Sequence, residues 1–153
     1  MTDKQIPCPT EDAEQTHLFA WAAWAQSKYP ELRLMHHIPN GGKRGKAEAA
    51  RLKAMGVKPG VSDIFLPQPC CQWQLADGEC HSKLYCGLYI ELKRRYGGTA
   101  TPEQNDWLRD MRAQGYAAEL CQGAEAAERV ITDYLNGEYA PIYIIPPKKE
   151  GTK

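Results

Sequence analysis

Short strand-like segments alternate with helix-like segments along most of this chain, and this order limits the possible folds more than any other feature. Thr10 before Glu11 and Asp12 has the pattern of a helix N-cap followed by an acidic first turn. The first helix is predicted to end near Lys28. Further helices are predicted over 46–55, 101–114 and 124–135, and strands over 32–38, 63–66, 87–93 and 116–121. The order α-β-α-β-β-α-β-α predicts an α/β fold with a mixed central sheet flanked by helices.

The length and composition fit a single globular domain. The chain has 153 residues, of which 42% are hydrophobic and 25% charged, an ordinary balance for a soluble domain. The expected domain spans 1–136, with a Cys-rich insertion at 68–86 and a C-terminal tail at 137–153. No apolar stretch approaches the roughly 18 residues that a bilayer span needs, and the N-terminus lacks the pattern of an export signal. We therefore expect a cytoplasmic protein without a membrane segment.

Charge is balanced over the whole chain but unevenly distributed. Nineteen Lys and Arg residues match nineteen Asp and Glu residues, so the net charge does not indicate a polyanionic partner. The segment 40–60 carries six basic residues and one acid, whereas 101–138 carries eight acids and three arginines. One face is therefore expected to be basic and another acidic, although such charge runs are commonly just solvated surface.

Two carboxylates and a lysine occur at neighbouring predicted strands. Asp63 begins one strand, while Glu91 and Lys93 are two residues apart on another and share one of its faces. Mg²⁺ and Mn²⁺ prefer oxygen ligands of this kind, and a lysine beside the metal can assist an attacking water or stabilise a phosphoryl group. The residues suggest metal-assisted phosphodiester hydrolysis. A Glu and a Lys on one strand can also form an ordinary surface ion pair.

Several longer motifs surround these residues: EDAEQ in the first helix, IPNGGKR, LKAMGVKPGVSDIFL, GLYIELKRRYGGTATPEQ and RAQGYAAELC. With these motifs the chain, from Glu11 to about Val130, resembles the VRR-NUC domain of the PD-(D/E)xK nuclease superfamily. The resemblance implies a restriction-endonuclease-like core. It also implies that Asp63, Glu91 and Lys93 form the catalytic triad. Asp63, Glu91 and the backbone carbonyl of Leu92 would then bind Mg²⁺ or Mn²⁺.

Further site residues carry over from the resemblance. Glu14 is the preferred first-helix carboxylate, and Glu11 is its competitor one turn earlier. Gln104 matches a glutamine of the family site, but Thr101-x-x-Gln104 is also a capping box, so both roles stay open. DNA phosphates are expected to contact a set of loop and strand-end residues, for which a solvated loop is the alternative. These residues are Asn40, Gly41, Lys43, Arg44, Lys46, Arg94 and Arg95.

The Cys-rich insertion departs from the family pattern. It contains Cys70, Cys71, Cys80, His81 and Cys86, a set that can bind zinc but has no C-x-x-C spacing. A hairpin with reduced thiols is the favoured interpretation, and disulfides are not expected in the cytosol.

The expected function is that of a structure-selective DNA endonuclease. The resemblance implies a phage or bacterial protein that cuts branched DNA, with four-way (Holliday) junctions cut by a homodimer. The alternative is a non-catalytic DNA-binding or zinc-stabilised adaptor module. A nuclease that reads a short sequence ranks low, because no base-reading helix is evident beside the core.

Overall fold

The computed structural model describes residues 7–40 and 45–148. The helices within these residues are α1 (Glu11–Ala25), α2 (Lys46–Ala54), α3 (Pro102–Ala113) and α4 (Ala124–Asn136). The strands are β1 (His36–His37), β2 (Ile64–Leu66), β3 (Cys70–Ala76), β4 (Glu79–Tyr85), β5 (Leu88–Lys93) and β6 (Ala117–Gln122). Thr10 caps α1 by accepting a hydrogen bond from the Ala13 amide, as its sequence predicts.

Four strands form the central sheet in the order β1-β2-β5-β6. The pairs β1·β2 and β2·β5 are antiparallel, and β5·β6 is parallel. Helices α1 and α4 pack against each other and against β5, while α3 packs against β5 and β6. The predicted α/β fold with a mixed sheet flanked by helices is confirmed.

The hydrophobic core lies between the sheet and its helices. Ile90 and Leu92 of β5 are almost completely buried in one cluster with Leu18 of α1 and Ile131 of α4. Because side chains alternate along a strand, Glu91 and Lys93 point to the other face of β5. Within the described residues, no helix is both long and apolar enough to cross a membrane.

The predicted strand at 32–38 is largely wrong. Pro30–Leu34 forms a 3₁₀ helix, and only His36 and His37 pair with β2. Leu32 and Met35 are the buried residues of this segment, and their spacing of three suits a helical turn rather than a strand. The segment's apolar residues thus reach the core through a turn that starts at Pro30.

The Cys-rich insertion is a two-stranded antiparallel hairpin of β3 and β4. Asp77 and Gly78 form its turn with positive φ angles of 52° and 81°, which suits an Asp-Gly pair in a two-residue hairpin loop. The register places Cys70 and Cys80 near opposite ends of the hairpin. The described residues contain no group of three or more His, Cys, Asp or Glu side chains arranged to hold a metal. The hairpin supplies no observation in favour of the zinc alternative.

The tail docks on the domain. Gly137 ends α4 in the left-handed conformation, and Tyr139 is buried with its amide bonded to Gln72. Further along, the Ile142 and Tyr143 amides donate to the Glu119 carboxylate of β6. The tail therefore connects the hairpin with the edge of the central sheet.

Candidate active site

Asp63 and Glu91 meet where β2 begins and β5 ends. The antiparallel register pairs Ile64 with Ile90, so Asp63, one residue before β2, lies beside Glu91. The Asp63 Oδ2 atom accepts a hydrogen bond of 2.9 Å from the Leu92 amide, which fixes this carboxylate against β5. The expected convergence of the two carboxylates is present.

Lys93 lies between two carboxylates. Its Nζ donates to Glu91 Oε1 at 2.7 Å and lies 3.5 Å from Glu11 Oε1. The Lys93 side chain is only 9% exposed and that of Glu91 is fully buried. The ammonium group is thus held by β5 on one side and by the first turn of α1 on the other.

Gln104 serves both the helix cap and the site. Its Oε1 accepts the Thr101 amide at 2.8 Å, and Thr101 Oγ1 accepts the Gln104 amide at 3.3 Å, so the predicted capping box is present. The same side chain donates through Nε2 to Glu91 Oε1. Gly60, with φ +80°, lies against the backbone of Glu103 and Gln104 so closely that a Cβ there would come within 2.3 Å of the Glu103 carbonyl oxygen. The capping box thereby aims the Gln104 amide at Glu91.

Burial, and then the nearby Asp63 charge, raise the pKa of Glu91 to about 8, against the opposing effect of Lys93. Burial lowers the pKa of Lys93, but its hydrogen bond to Glu91 and the charge of Glu91 outweigh this effect, so the net shift is upward. Glu91 Oε2 is buried and has no hydrogen-bond partner in the described part of the chain. The site therefore combines an unsatisfied carboxylate oxygen with two mutually repelling carboxyl groups.

These donors fit a divalent cation. Mg²⁺ is commonly bound by one or two carboxylates, with water and substrate phosphate completing its octahedral shell. A cation beside Asp63 would bind Glu91 Oε2. Its positive charge would offset the repulsion between the two carboxylates that helps to raise the pKa of Glu91. Leu92, whose backbone carbonyl the resemblance assigns as a further ligand, lines the same cleft as Asp63. Two carboxylates and a carbonyl leave room for water and a phosphate oxygen.

Two adjoining clefts reach this cluster. The first, of about 360 Å³, is lined by Glu11, Asp12, Gln15, His37, Pro39, Asp63 and Leu92. The second, of about 480 Å³, is lined by residues that include Glu11, Lys93, Arg94 and Gln104. Glu11 borders both clefts, so the two openings meet at the first turn of α1.

His37 is a cleft residue that the sequence did not reveal. Its Nδ1 lies 2.8 Å from the Asp63 backbone oxygen. The contact depends on the pairing of His37 with Ile64, and a two-residue strand leaves no readable pattern in a sequence. The apolar segment before IPNGG was the only available signal.

The preference for Glu14 over Glu11 is corrected by their positions. Glu14 is buried, and its Oε2 accepts the Ala124 amide of α4 at 2.8 Å. Its Oε1 lies 3.4 Å from Arg95 Nε. The residue before α4 is Gly123, which has no side chain to cap the helix, so Glu14 performs that role. Glu11 is the first-helix carboxylate beside Lys93.

The expected DNA contacts fall into three groups. Asn40 closes its own loop by donating to the Lys58 carbonyl at 2.8 Å, and Arg95 pairs with Glu14 and Glu125, so both side chains already have partners within the protein. Lys46, at the start of α2, and Arg94, beside the second cleft, are exposed. Gly41, Lys43 and Arg44 lie outside the described residues.

Comparison with known proteins gives a structural match over nearly the whole chain. No family model and no curated protein matches the sequence. A solved structure described as a VRR_NUC domain protein matches with a TM-score of 0.67 and 26% identity, covering 93% of this chain and 100% of the other. The chain is therefore similar to a VRR-NUC domain over nearly its whole length. The resemblance that the motifs indicated is confirmed, and a domain of this type suggests a nuclease-like, DNA-processing function in broad terms.

Proposed function

We propose that this VRR-NUC-type protein is a divalent-metal-dependent DNA endonuclease. The observation that carries the proposal is the cluster of half-buried Asp63 with buried Glu91 and Lys93, in which one Glu91 oxygen has no partner in the described chain. A buried, unsatisfied carboxylate is costly for folding. Such a cost is typical of a site whose ligand completes the arrangement.

Each residue has a part in hydrolysis. Asp63 and Glu91 would hold the metal, Mg²⁺ or Mn²⁺, which supplies Lewis acidity and lowers the pKa of a bound water. Lys93 lines the second cleft and places a positive charge beside Glu11, where it can orient the attacking water or stabilise the phosphoryl oxygens. Gln104 fixes the Glu91 side chain, and Glu11 holds Lys93 from the opposite side. Water has access through both clefts.

The substrate proposed is branched DNA, cut by a homodimer. The support is the VRR-NUC resemblance, together with the symmetry of the task. Resolution of a four-way junction needs two matched nicks, and a two-fold dimer presents two sites to two strands. Lys46 and Arg94 are exposed cations on the described surface that can approach neighbouring phosphates. Such contacts position the DNA without reading its sequence.

The test is cleavage of a synthetic four-way junction, with a linear duplex and a flap as comparison substrates, in Mg²⁺, Mn²⁺ and EDTA. Wild type is expected to cut the junction symmetrically in either metal and not in EDTA. Lys93→Ala, Asp63→Ala and Glu91→Ala are each expected to lose at least about 100-fold in rate. Lys83→Ala, which removes an exposed lysine of the hairpin, is the matched control and should keep full activity.

Two results would contradict the proposal. Full cutting by Asp63→Ala, with circular dichroism showing a folded protein, would refute the site. An absence of cutting by wild type on any substrate in either metal would refute the nuclease and favour the non-catalytic module. In that case stoichiometric zinc in the purified protein would identify the adaptor.

A further inference from the structure

The hairpin of β3 and β4 turns an apolar face to solvent. Trp73, Leu75 and Leu84 are 67%, 80% and 64% exposed. The alternation and register of the two strands place these side chains on one side of the hairpin with two cysteines and a serine. We call this set the hairpin face: Cys71, Trp73, Leu75, Cys80, Ser82 and Leu84. All six residues are exposed, and none is charged.

The other side of the hairpin is anchored to the domain. Gln72 is buried, accepts the Tyr139 amide at 2.7 Å and donates to the Tyr134 carbonyl at 3.2 Å. Tyr85 is buried with its ring 5.2 Å from that of Tyr139. These contacts fix which side of the hairpin faces outward. The outward side of the hairpin is thus apolar, whereas an exposed sheet usually directs polar side chains to water.

The size of the hairpin face suits an interface. Its exposed fractions correspond to roughly 600 Å² per chain, at the upper limit of the apolar patches that monomers expose. Two copies stacked on each other would bury about 1,200 Å², which is the lower limit for specific interfaces. A two-stranded hairpin alone is only marginally stable in water. A partner that covers this face would therefore stabilise the hairpin as well.

The chemistry of the face favours a second copy of the chain over DNA. Because the hairpin face has no charged side chain, two copies can stack without repulsion between like charges. The turn beside it carries Asp77 and, one residue beyond Gly78, Glu79, and these acids disfavour contact with phosphates. A surface that binds its own copy forms a closed two-fold dimer.

We propose that the hairpin face is the dimer interface of this protein, with two hairpins stacked face to face about a two-fold axis. This inference deepens the homodimer part of the proposed function, but it does not depend on nuclease chemistry. Trp73 forms the centre of the contact because it belongs to the middle of the three cross-strand pairs of the face, opposite Ser82. The hairpin, anchored through Gln72, then fixes the position of one active site relative to the other.

The first experiment measures the mass of the full chain by sedimentation equilibrium in a reducing buffer, over a wide range of concentrations. Wild type is expected to form a dimer. Trp73→Ser should raise the dimer dissociation constant by at least about 30-fold, the effect of losing a central aromatic contact. Trp24→Ser is the matched control, since Trp24 is 78% exposed on α1, and it should leave the constant unchanged.

The second experiment needs no variant and applies even if Trp73→Ser fails to fold. Maleimide labelling of the wild type, followed residue by residue by mass spectrometry, should modify Cys71 and Cys80 more slowly at high protein concentration than at low. Cys86 is exposed and lies outside the hairpin face, so its labelling rate should not depend on concentration.

The outcomes separate this inference from the proposed function. A wild type that is monomeric at every concentration, or a dimer unaffected by Trp73→Ser whose Cys71 labels freely, would overturn the hairpin interface. A dimer that behaves as expected but cuts no DNA would leave the interface standing and refute the nuclease. A monomer that cuts DNA would refute the hairpin interface and leave the nuclease standing.

Discussion

Glu119 of β6 connects the tail to α3 and to the central sheet. It is 1% exposed and accepts hydrogen bonds from Arg112 Nη2 at 2.9 Å and Tyr139 Oη at 2.5 Å. It also accepts the Ile142 and Tyr143 amides at 3.2 and 2.8 Å. One buried carboxylate thus satisfies four donors from two parts of the chain, α3 and the tail. We expect Glu119→Gln to be strongly destabilising.

The magnitude follows from the donors that glutamine cannot satisfy. Gln keeps the size of Glu119, but its amide nitrogen cannot accept, so at least one backbone or side-chain donor loses its partner. Breaking a buried ion pair costs about 3–5 kcal/mol, and Arg112 is 25% exposed, so water screens part of that loss. The expected decrease in the free energy of unfolding is about 3 kcal/mol. For a chain of this size the melting temperature should fall by about 6–12 °C.

The assay is urea unfolding of each variant at one protein concentration, followed by tryptophan fluorescence and circular dichroism. Glu125→Gln is the control, because Glu125 has a 69% exposed side chain and only an exposed ion pair to lose, worth under about 1 kcal/mol. A double-mutant cycle with Tyr139→Phe should show coupling between Tyr139 and Glu119. A loss no larger for Glu119→Gln than for Glu125→Gln would refute the reasoning.

Three further predictions concern the candidate active site. Because the pKa of Glu91 is raised from 4.5 to about 8, the folded state keeps a proton that the unfolded state has released. The stabilisation of the folded state by this proton is complete below the pKa of Glu91 in the unfolded chain, and it is lost as the pH rises through about 8. Urea unfolding in EDTA should therefore show wild type losing stability relative to Glu91→Gln between about pH 5 and pH 9, and a constant difference would contradict this pKa. Gln104→Ala should lower the rate of junction cleavage beyond the effect of Thr101→Ala, which removes the Oγ1 hydrogen bond of the same capping box at a cost of about 1 kcal/mol. Equal rates for the two variants would restrict Gln104 to capping. Glu11→Ala should reduce the cleavage rate at least about 10-fold with little loss of stability. Glu14→Ala should instead lower the free energy of unfolding in urea by about 2 kcal/mol. A fully stable but inactive Glu14→Ala would restore Glu14 to the site.

Local patterns sufficed for most of the fold. The capping box at Thr101 and Gln104 and the acidic first turn after Thr10 mark helix starts by contacts within one turn, so the sequence predicts them directly. The strand prediction for 32–38 was wrong because the apolar residues of this segment also match a short helical turn. Only pairing with β2 decides which of its residues form a strand. The Cys-rich insertion was expected to be a hairpin, but the direction in which its apolar side would face was not predictable. That direction depends on Gln72 finding partners in α4 and the tail.

The site was predictable where strand alternation determines it. Glu91 and Lys93 must share a face of β5, and Asp63 at the start of the neighbouring strand must lie near them. The choice between Glu11 and Glu14 was different, because residues three apart lie on the same side of a helix. It depends on where α1 crosses β5 and α4, and this crossing is a tertiary property.

The positions of the two acids in α1 suggest how that crossing is set. Glu14 receives the Ala124 amide and lies beside Arg95, so it attaches the start of α1 to the start of α4. Glu11 lies one turn earlier, and this attachment brings it to Lys93. If Glu14 holds α1 in place, its removal affects the site only by displacing Glu11. The loss of activity in Glu14→Ala should then not add to that in Glu11→Ala, since both remove the same contact with Lys93. Glu14, which is farther from the reacting groups than Glu11, is thus the carboxylate that contributes more to the stability of the fold.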